Sequence, residues 1–211
     1  VQLTVETQDE PLSLDDVSGI FSAYPFRLAS RFTAPERPEL ERMLDVGWRT
    51  ARLCANETYM DCPYYEQMQY FGDARIQALV TLYNTRDTCM VRQLLDQCRQ
   101  SMLPEGIPQS RYPSDLPQVI PPFAVWWLGT AYDYWMMRGD EAYLQTLLPA
   151  FRRVLGWFER YRGTDGLLHD VPYWFFIDWP EEFDFGQPRR SADGTSAYQD
   201  VVYLLGLGYA A

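Results

Sequence analysis

The most informative stretch of the chain is Asp61-Cys62-Pro63-Tyr64-Tyr65-Glu66-Gln67-Met68-Gln69-Tyr70-Phe71-Gly72-Asp73, in which three carboxylates stand among aromatic residues. Aromatic surroundings disfavour the charged form of a carboxylate and raise its pKa. A glycosidase needs one acid that stays protonated near neutral pH, to protonate the departing oxygen. It also needs a second carboxylate, to direct water or attack the sugar. The stretch therefore favours a pocket that cleaves sugars.

The same stretch has a structural interpretation without any site. A Cys-Pro turn would open a helix, with Asp61 near its start and the Tyr, Met and Phe residues filling a core. Asp73 would then be an ordinary carboxylate of a first helical turn, where free backbone N–H groups stabilise it. Residue types leave both interpretations open, and the order of the residues separates them.

The order of the motif resembles the signature of the α-L-rhamnosidases of glycoside hydrolase family 78. Asp-Cys-Pro is followed by Glu66, five residues after Asp61, and the motif closes on Gly-Asp at Asp73. The resemblance implies that Glu66 is the general acid and that Asp61 and Asp73 bind hydroxyls of a terminal rhamnose. Tyr65 and Tyr70 stand where many members have Arg and Trp. Both are expected substrate contacts, and Tyr70 keeps an aromatic face.

A second candidate segment is Tyr173-Trp174-Phe175-Phe176-Ile177-Asp178-Trp179-Pro180-Glu181-Glu182-Phe183-Asp184. The resemblance implies that Asp178 is a polar substrate contact and that Trp179 is a platform on which the sugar stacks. In the alternative interpretation these rings close the end of a helical barrel, and Glu181 and Glu182 are solvated beside a proline turn.

The resemblance covers most of residues 25–211 and implies an all-α fold. The chain is expected to form roughly the first half of an (α/α)6 barrel, with a short β or irregular lead-in. The family's general base is a Glu that comes later than any match here. We therefore expect an inverting enzyme whose base lies in the remainder of the same polypeptide, with a rhamnose-containing glycoside or polysaccharide as substrate.

Hydrophobic periodicity supports the helical part of this expectation. It predicts helices over about 38–55, 72–84, 87–102, 122–138, 141–162 and 195–211, with a kink or break near Pro149. The second helix is predicted to bury its large apolar residues, Ile76, Leu79, Val80 and Tyr83. Residues 103–122 hold six of the fifteen prolines and are predicted to form one long surface loop.

Residues 1–35 are expected to contain a strand or two and irregular chain, as the end of or linker from a preceding β-domain. Residues 36–211 are expected to be the N-terminal part of the catalytic domain, truncated at its C-terminal end. The last predicted helix has no stop signal before Ala211.

Composition narrows the function classes. The net charge is −11, from 18 basic and 29 acidic residues, which argues against nucleic acid and anionic membranes as partners. No apolar run approaches the roughly 20 residues that cross a bilayer. Four cysteines without CxxC spacing and a single histidine imply no metal or organic cofactor, and the cysteines are expected to be buried free thiols. Periplasmic, secreted and cytoplasmic locations all stay open.

Three alternatives remain on sequence grounds. The chain could be a carbohydrate-binding or non-catalytic fragment, since a half-barrel without its base binds sugar but does not cleave it. It could be a helical-barrel glycosidase of another sugar specificity. It could also be an aromatic-lined terpenoid cyclase, although it lacks the Asp-rich cluster expected there.

Overall fold

A computed structural model describes residues 2–211, and all regular secondary structure in that range is helical. The elements are α1 (Pro38–Leu53), α2 (Phe71–Asn84), α3 (Cys89–Gln100), α4 (Pro121–Arg138), α5 (Glu141–Gln145), α6 (Leu148–Glu159) and α7 (Ala197–Ala210). The predicted helices are confirmed. The predicted break near Pro149 separates α5 from α6, and Pro149 stands in the first turn of α6, where its missing N–H costs nothing.

The helices form two rows built from three successive hairpins. α4 lies at the centre and packs against α2 and α7, and these three helices make the inner row. The outer row is α1 against α2, α3 against both α2 and α4, and α6 against both α4 and α7. Alternation of outer and inner helices is the arrangement expected for part of an (α/α)6 array.

The core centres on α4. Trp127 is fully buried, donates its indole N–H to the Leu95 carbonyl at 3.1 Å and packs edge-on against Phe151 at 4.6 Å. This confirms the expected burial of the fourth helix on several sides. Trp126 is only half-buried, and its ring lies 5.7 Å from the guanidinium carbon of Arg75.

The predicted inner face of α2 is wrong at Ile76 and Tyr83, while Leu79 and Val80 are half-buried. Ile76 and Tyr83 are 63% and 70% exposed, whereas Ala74, Ala78 and Leu82 are buried. The small alanines let α2 approach its neighbours closely, so that packing selects the face of small residues over the face of large ones. Ile76 and Tyr83 therefore face outward, whereas Phe71 and Leu82 are buried.

The lead-in also differs from expectation. Residues 2–35 contain no strand, and residues 2–22 are exposed throughout. The lead-in meets the helices through Tyr24, whose hydroxyl donates to Asp87 at 2.9 Å, through Phe26, which packs on Trp48, and through one isolated bridge between Leu28 and Thr85. The few alternating residues of the lead-in have no partner strand, which explains the wrong strand prediction. The boundary with a preceding β-domain stays a prediction.

Two further expectations need correction. The connection between α3 and α4 is not simply a surface loop, since Ile107 and Ser110 are almost fully buried in it. Cys54 and Cys98 are buried free thiols as predicted, but Cys62 is half-buried and Cys89, at the start of α3, is exposed.

An ion pair links the three inner helices. Arg75 of α2 donates from Nε to Asp133 of α4 at 2.9 Å and from Nη1 to the hydroxyl of Tyr209 of α7 at 3.0 Å. Gly129 makes room for it, because a Cβ there would lie 2.6 Å from the guanidinium carbon. The side chains of Arg75 and Asp133 are only 17% and 15% exposed. Loss of either partner would leave a charge poorly solvated.

We expect Asp133→Ala to lower the free energy of unfolding by roughly 2–3 kcal/mol, because Arg75 is left largely buried without its counter-ion. The control is Glu39→Ala, which removes the partner of Arg37 at the exposed start of α1 and should cost at most about 1 kcal/mol. Denaturant unfolding of both variants measures the difference. Equal losses would contradict the role given to the buried pair.

Candidate active site

The acidic loop of residues 61–68 is closed by its own backbone. The Asp61 N–H donates to the Met68 carbonyl at 2.9 Å, and the Met68 N–H donates to Asp61 Oδ1 at 2.8 Å. Gln67 adopts φ 54°, and its side-chain amide donates to the Pro63 carbonyl at 3.0 Å. The two ends of the loop are thereby held together, and Glu66 projects from a closed turn.

The buried Gln69 side chain fastens this loop to the helices. Its Nε2 donates to Gln97 Oε1 of α3 at 2.7 Å and to the Tyr112 carbonyl at 2.8 Å, and its Oε1 accepts the Tyr59 N–H at 3.2 Å. Gln69 is 3% exposed, so each of these bonds replaces a bond to water that burial has removed. The loop therefore has a fixed position relative to α3.

The connection between α3 and α4 forms the next contact. Tyr70 and Arg111 make an isolated antiparallel bridge, and Phe71, the first residue of α2, donates its N–H to the Ser110 carbonyl at 2.9 Å. The side chains of the bridge also meet, since Arg111 Nη1 donates to the Tyr70 hydroxyl at 2.7 Å. No sequence pattern marks Arg111, because it lies outside the motif in a connection whose main signal is its prolines.

The carboxylates of the motif share an electrostatic environment. The pKa of Glu66 is raised above its ordinary value, first by a hydrogen bond with Asp61, then by desolvation and by the charges of Asp61 and Asp73, while Arg111 opposes the rise. The pKa of Asp73 is also raised, chiefly by desolvation. Asp73 is exposed to solvent, but it lies in the first turn of α2 among the residues that line a pocket, where surrounding protein displaces part of the water around its carboxylate.

Aromatic residues from two other elements face the acids. Phe123 of α4 lies edge-on between Tyr70 and Phe176, with ring centroids 6.2 and 6.1 Å apart, and Phe176 in turn contacts Trp179 at 5.1 Å. Trp174 contacts Phe176 at 4.9 Å. These contacts make one continuous wall of rings.

The acids and the rings enclose one pocket of about 160 Å³. It is lined by Asp61, Glu66, Tyr70, Asp73, Ile120, Phe123, Trp174, Phe176 and Trp179. The lining comes from the residues that lead into α2, from the start of α4 and from the connection that leads to α7. The pocket therefore lies near the N-terminal ends of the inner helices α2 and α4. Carboxylates form one wall, and aromatic and aliphatic groups form the other. The pocket volume is below the roughly 300–1,000 Å³ of pockets for drug-sized ligands. The pocket is therefore suited to a small ligand, such as a single sugar ring.

The structure brings together five of the seven residues predicted for the site: Asp61, Glu66, Tyr70, Asp73 and Trp179. Asp178 lines an adjoining depression that it shares with Asp73 and Trp179. Tyr65 does not line the pocket, because its ring is 87% exposed and rests only edge-on against Tyr64.

Glu181 and Glu182 are exposed and outside the pocket, so they supply no carboxylate to the wall of rings. Ile120, Phe123, Trp174 and Phe176 were missed by sequence reasoning. Trp174 and Phe176 belong to the second candidate segment, and the density of rings there was their only sequence signal. Ile120 and Phe123 carried no signal beyond ordinary core periodicity.

Residues 2–211 contain no cluster of three or more His, Cys, Asp or Glu side chains placed to hold a metal ion. Among the same residues, no helix combines the length and the apolar character that a bilayer crossing demands.

Comparisons with known proteins agree with this architecture. Residues 29–210 match the family described as the bacterial alpha-L-rhamnosidase 6 hairpin glycosidase domain. A GH78 family rhamnosidase of Bacillus sp. GL1 superposes with a TM-score of 0.75 at 26% identity, over 89% of this chain and 19% of that one. No curated protein matches the chain significantly.

Two more distant solved structures show the fold alone. A rhamnosidase from Klebsiella oxytoca with rhamnose bound gives a TM-score of 0.69 at 20% identity, over 90% of this chain and 35% of that one. An alpha-L-rhamnosidase from Dictyoglumus thermophilum gives 0.60 at 17% identity, over 89% and 20%. The chain thus spans between 19% and 35% of the length of these three proteins.

Gly72 ties the helix packing to the pocket. A Cβ at Gly72 would lie 2.6 to 2.9 Å from three atoms of the Phe123 ring, which is held between Tyr70 and Phe176 and cannot move away freely. We expect Gly72→Ala to destabilise the protein by about 1–3 kcal/mol through overpacking. Gly156→Ala in α6 is the matched control. Nothing lies within 4 Å of its added Cβ, so it should stabilise by up to about 1 kcal/mol. Thermal unfolding of both variants measures the sign, and stabilisation by Gly72→Ala would refute the packing argument.

Proposed function

Because the chain belongs to the bacterial α-L-rhamnosidase six-hairpin glycosidase family, we propose that its pocket takes part in removing terminal α-L-rhamnose from glycosides or polysaccharides. The reaction is an inverting hydrolysis with acid and base catalysis. The observation that carries the proposal is the pocket in which Asp61, Glu66 and Asp73 face a wall of rings.

Glu66 is the proposed general acid. Its raised pKa means that the carboxyl holds its proton at a higher pH than an ordinary glutamate, which is the property needed to protonate the glycosidic oxygen. The hydrogen bond with Asp61 is the largest cause of the shift. Asp61 is therefore proposed to raise the pKa of Glu66 as well as to bind the substrate.

Asp61 and Asp73 are proposed to accept hydrogen bonds from rhamnose hydroxyls, and Tyr70 adds a phenol at the same wall. Trp179 is 61% exposed and offers a ring face on which the sugar can stack. Asp178, in the adjoining depression, is proposed to contact the part of the substrate that leaves the pocket. Tyr65 could contact substrate only outside the pocket.

The general base is proposed to lie outside residues 1–211. All three pocket carboxylates come from the motif wall, whereas the facing wall is aromatic. Inversion requires two carboxyl groups roughly 6.5–9.5 Å apart with water between them. The remainder of the same polypeptide is the proposed source of the second group.

The second candidate function is carbohydrate binding without cleavage, and the missing carboxylate on the aromatic wall favours it. A glycosidase of other sugar specificity is less well supported. Rhamnose differs from mannose of the same hand by a methyl group in place of a hydroxymethyl group, and Ile120 and Phe123 give the pocket apolar surface suited to the methyl group.

We predict that Glu66→Gln abolishes turnover of p-nitrophenyl α-L-rhamnoside by the complete polypeptide, with a loss of at least about a hundredfold in kcat. Binding of L-rhamnose, measured by calorimetry, should be largely kept, because Gln retains the size and the acceptor oxygen. Glu57→Gln is the control, since Glu57 is exposed and lies outside the pocket.

A fully active Glu66→Gln enzyme would remove Glu66 from its role. Rhamnose binding without hydrolysis by the wild-type protein would favour the binding function. Faster hydrolysis of another aryl glycoside would favour the other sugar specificity.

The pH profile gives a separate prediction. Glu66 acts only when protonated, so activity is lost as pH rises through its pKa. Asp61→Asn keeps the oxygen that accepts the Met68 N–H but removes the negative charge that raises the pKa of Glu66. The alkaline limb of kcat/KM should therefore move to lower pH, and Glu57→Gln should leave it in place. If the alkaline limb stays in place in Asp61→Asn, then Asp61 does not raise the pKa of the general acid.

A further inference from the structure

Arg111 is fixed at the pocket by two kinds of contact. Its backbone forms the bridge with Tyr70, and its Nη1 donates to the Tyr70 hydroxyl at 2.7 Å. The guanidinium carbon also lies 5.4 Å from the centroid of the Tyr70 ring. Phe71 and Ser110 extend the same pairing by one residue, with an N–H to carbonyl distance of 2.9 Å. The arginine is therefore held by the backbone that begins α2.

The bond from Arg111 decides what the Tyr70 hydroxyl can do. A phenol has one proton to donate and an oxygen whose lone pairs accept hydrogen bonds. Arg111 donates to that oxygen, so the Tyr70 hydroxyl acts as an acceptor toward Arg111. Among the side-chain hydrogen bonds of residues 2–211, none uses the Tyr70 hydroxyl as donor. Its proton is thus free for a group in the pocket.

Arg111 is also the cation that opposes the acids around Glu66. Glu66 faces Asp61 from its own loop, Asp73 from α2, and the Tyr70 and Arg111 pair from the bridge, while Asp178 acts on Asp73. Arg75, which lines the adjoining depression together with Asp73, is engaged by Asp133. Removal of Arg111 would leave Glu66 without that opposing charge.

We propose that Arg111 is a positioning residue, which holds Tyr70 so that the phenol donates to an oxygen of the bound sugar and which supplies the counter-charge to Glu66. The inference rests on the proposed hydrolysis and deepens it. Arg111 belongs neither to the motif nor to the pocket lining. It acts on the pocket indirectly, through its hydrogen bond to Tyr70 and through the effect of its positive charge on Glu66.

The test compares Arg111→Met, Arg111→Lys and Tyr70→Phe in the complete polypeptide, by the pH profile of kcat/KM on the aryl rhamnoside. Arg111→Met should move the alkaline limb to higher pH, because the positive charge that lowers the pKa of Glu66 is gone. Arg111→Lys keeps the charge and should keep the limb. All three variants should lose roughly ten- to a hundredfold in kcat/KM at the optimum, as misplacement of a binding group does.

Arg153→Met is the matched control. Arg153 donates to the Leu103 and Pro104 carbonyls of the same connection, at 2.9 and 3.3 Å, but lies away from the pocket. It should change neither limb nor rate. An Arg111→Met profile that coincides with that of Arg153→Met would overturn the inference, and so would full activity of Tyr70→Phe, which also decides the matter if Arg111→Met does not fold.

A measurement without turnover keeps the two proposals apart. Wild-type protein that hydrolyses no rhamnoside would refute the proposed function alone. The titration of the Glu66 carboxyl, followed by carbon-13 NMR in the wild type and in Arg111→Met, then tests the counter-charge. A higher midpoint in the variant supports the inference, and equal midpoints refute it.

Discussion

The buried amide of Gln69 is the contact on which the rest of the site depends. Residues 63–67 are exposed, so hydrophobic burial cannot hold the loop that carries Glu66. Gln69 supplies the missing constraint through bonds to Gln97, to the Tyr112 carbonyl and from the Tyr59 N–H. An amide that loses such partners inside a protein costs about 1–3 kcal/mol for each group left unsatisfied. The acidic loop, α3 and the connection to α4 are therefore set in one geometry.

Close packing of the inner helices carries that geometry to the pocket. Gly72 admits the Phe123 ring, and Gly129 admits Arg75, so α2 and α4 meet through residues that also shape the site. Asp73 lies in the first turn of α2, where the free N–H groups of the helix favour a carboxylate even though desolvation disfavours its charged form. Fold and site thus share the same contacts.

Sequence patterns predicted the helices, because apolar periodicity and proline positions are local signals. The order of the motif predicted a shared site for Asp61, Glu66, Tyr70 and Asp73, and the second segment added Trp179; the structure places all five around one pocket. The buried face of α2 could not be predicted, since both of its faces are apolar and only tertiary contact with α4 selects the face of small residues.

The roles of Gln69 and Arg111 were also beyond sequence patterns. Gln69 pairs with residues 28 and 43 positions away, and Arg111 reaches Tyr70 across 41 positions.

The most direct test of the proposed site is a crystal structure of the complete polypeptide grown with L-rhamnose. We expect the sugar between the carboxylates of Glu66 and Asp73 and the rings of Phe176 and Trp179. An empty pocket at saturating sugar, or rhamnose bound elsewhere, would contradict it.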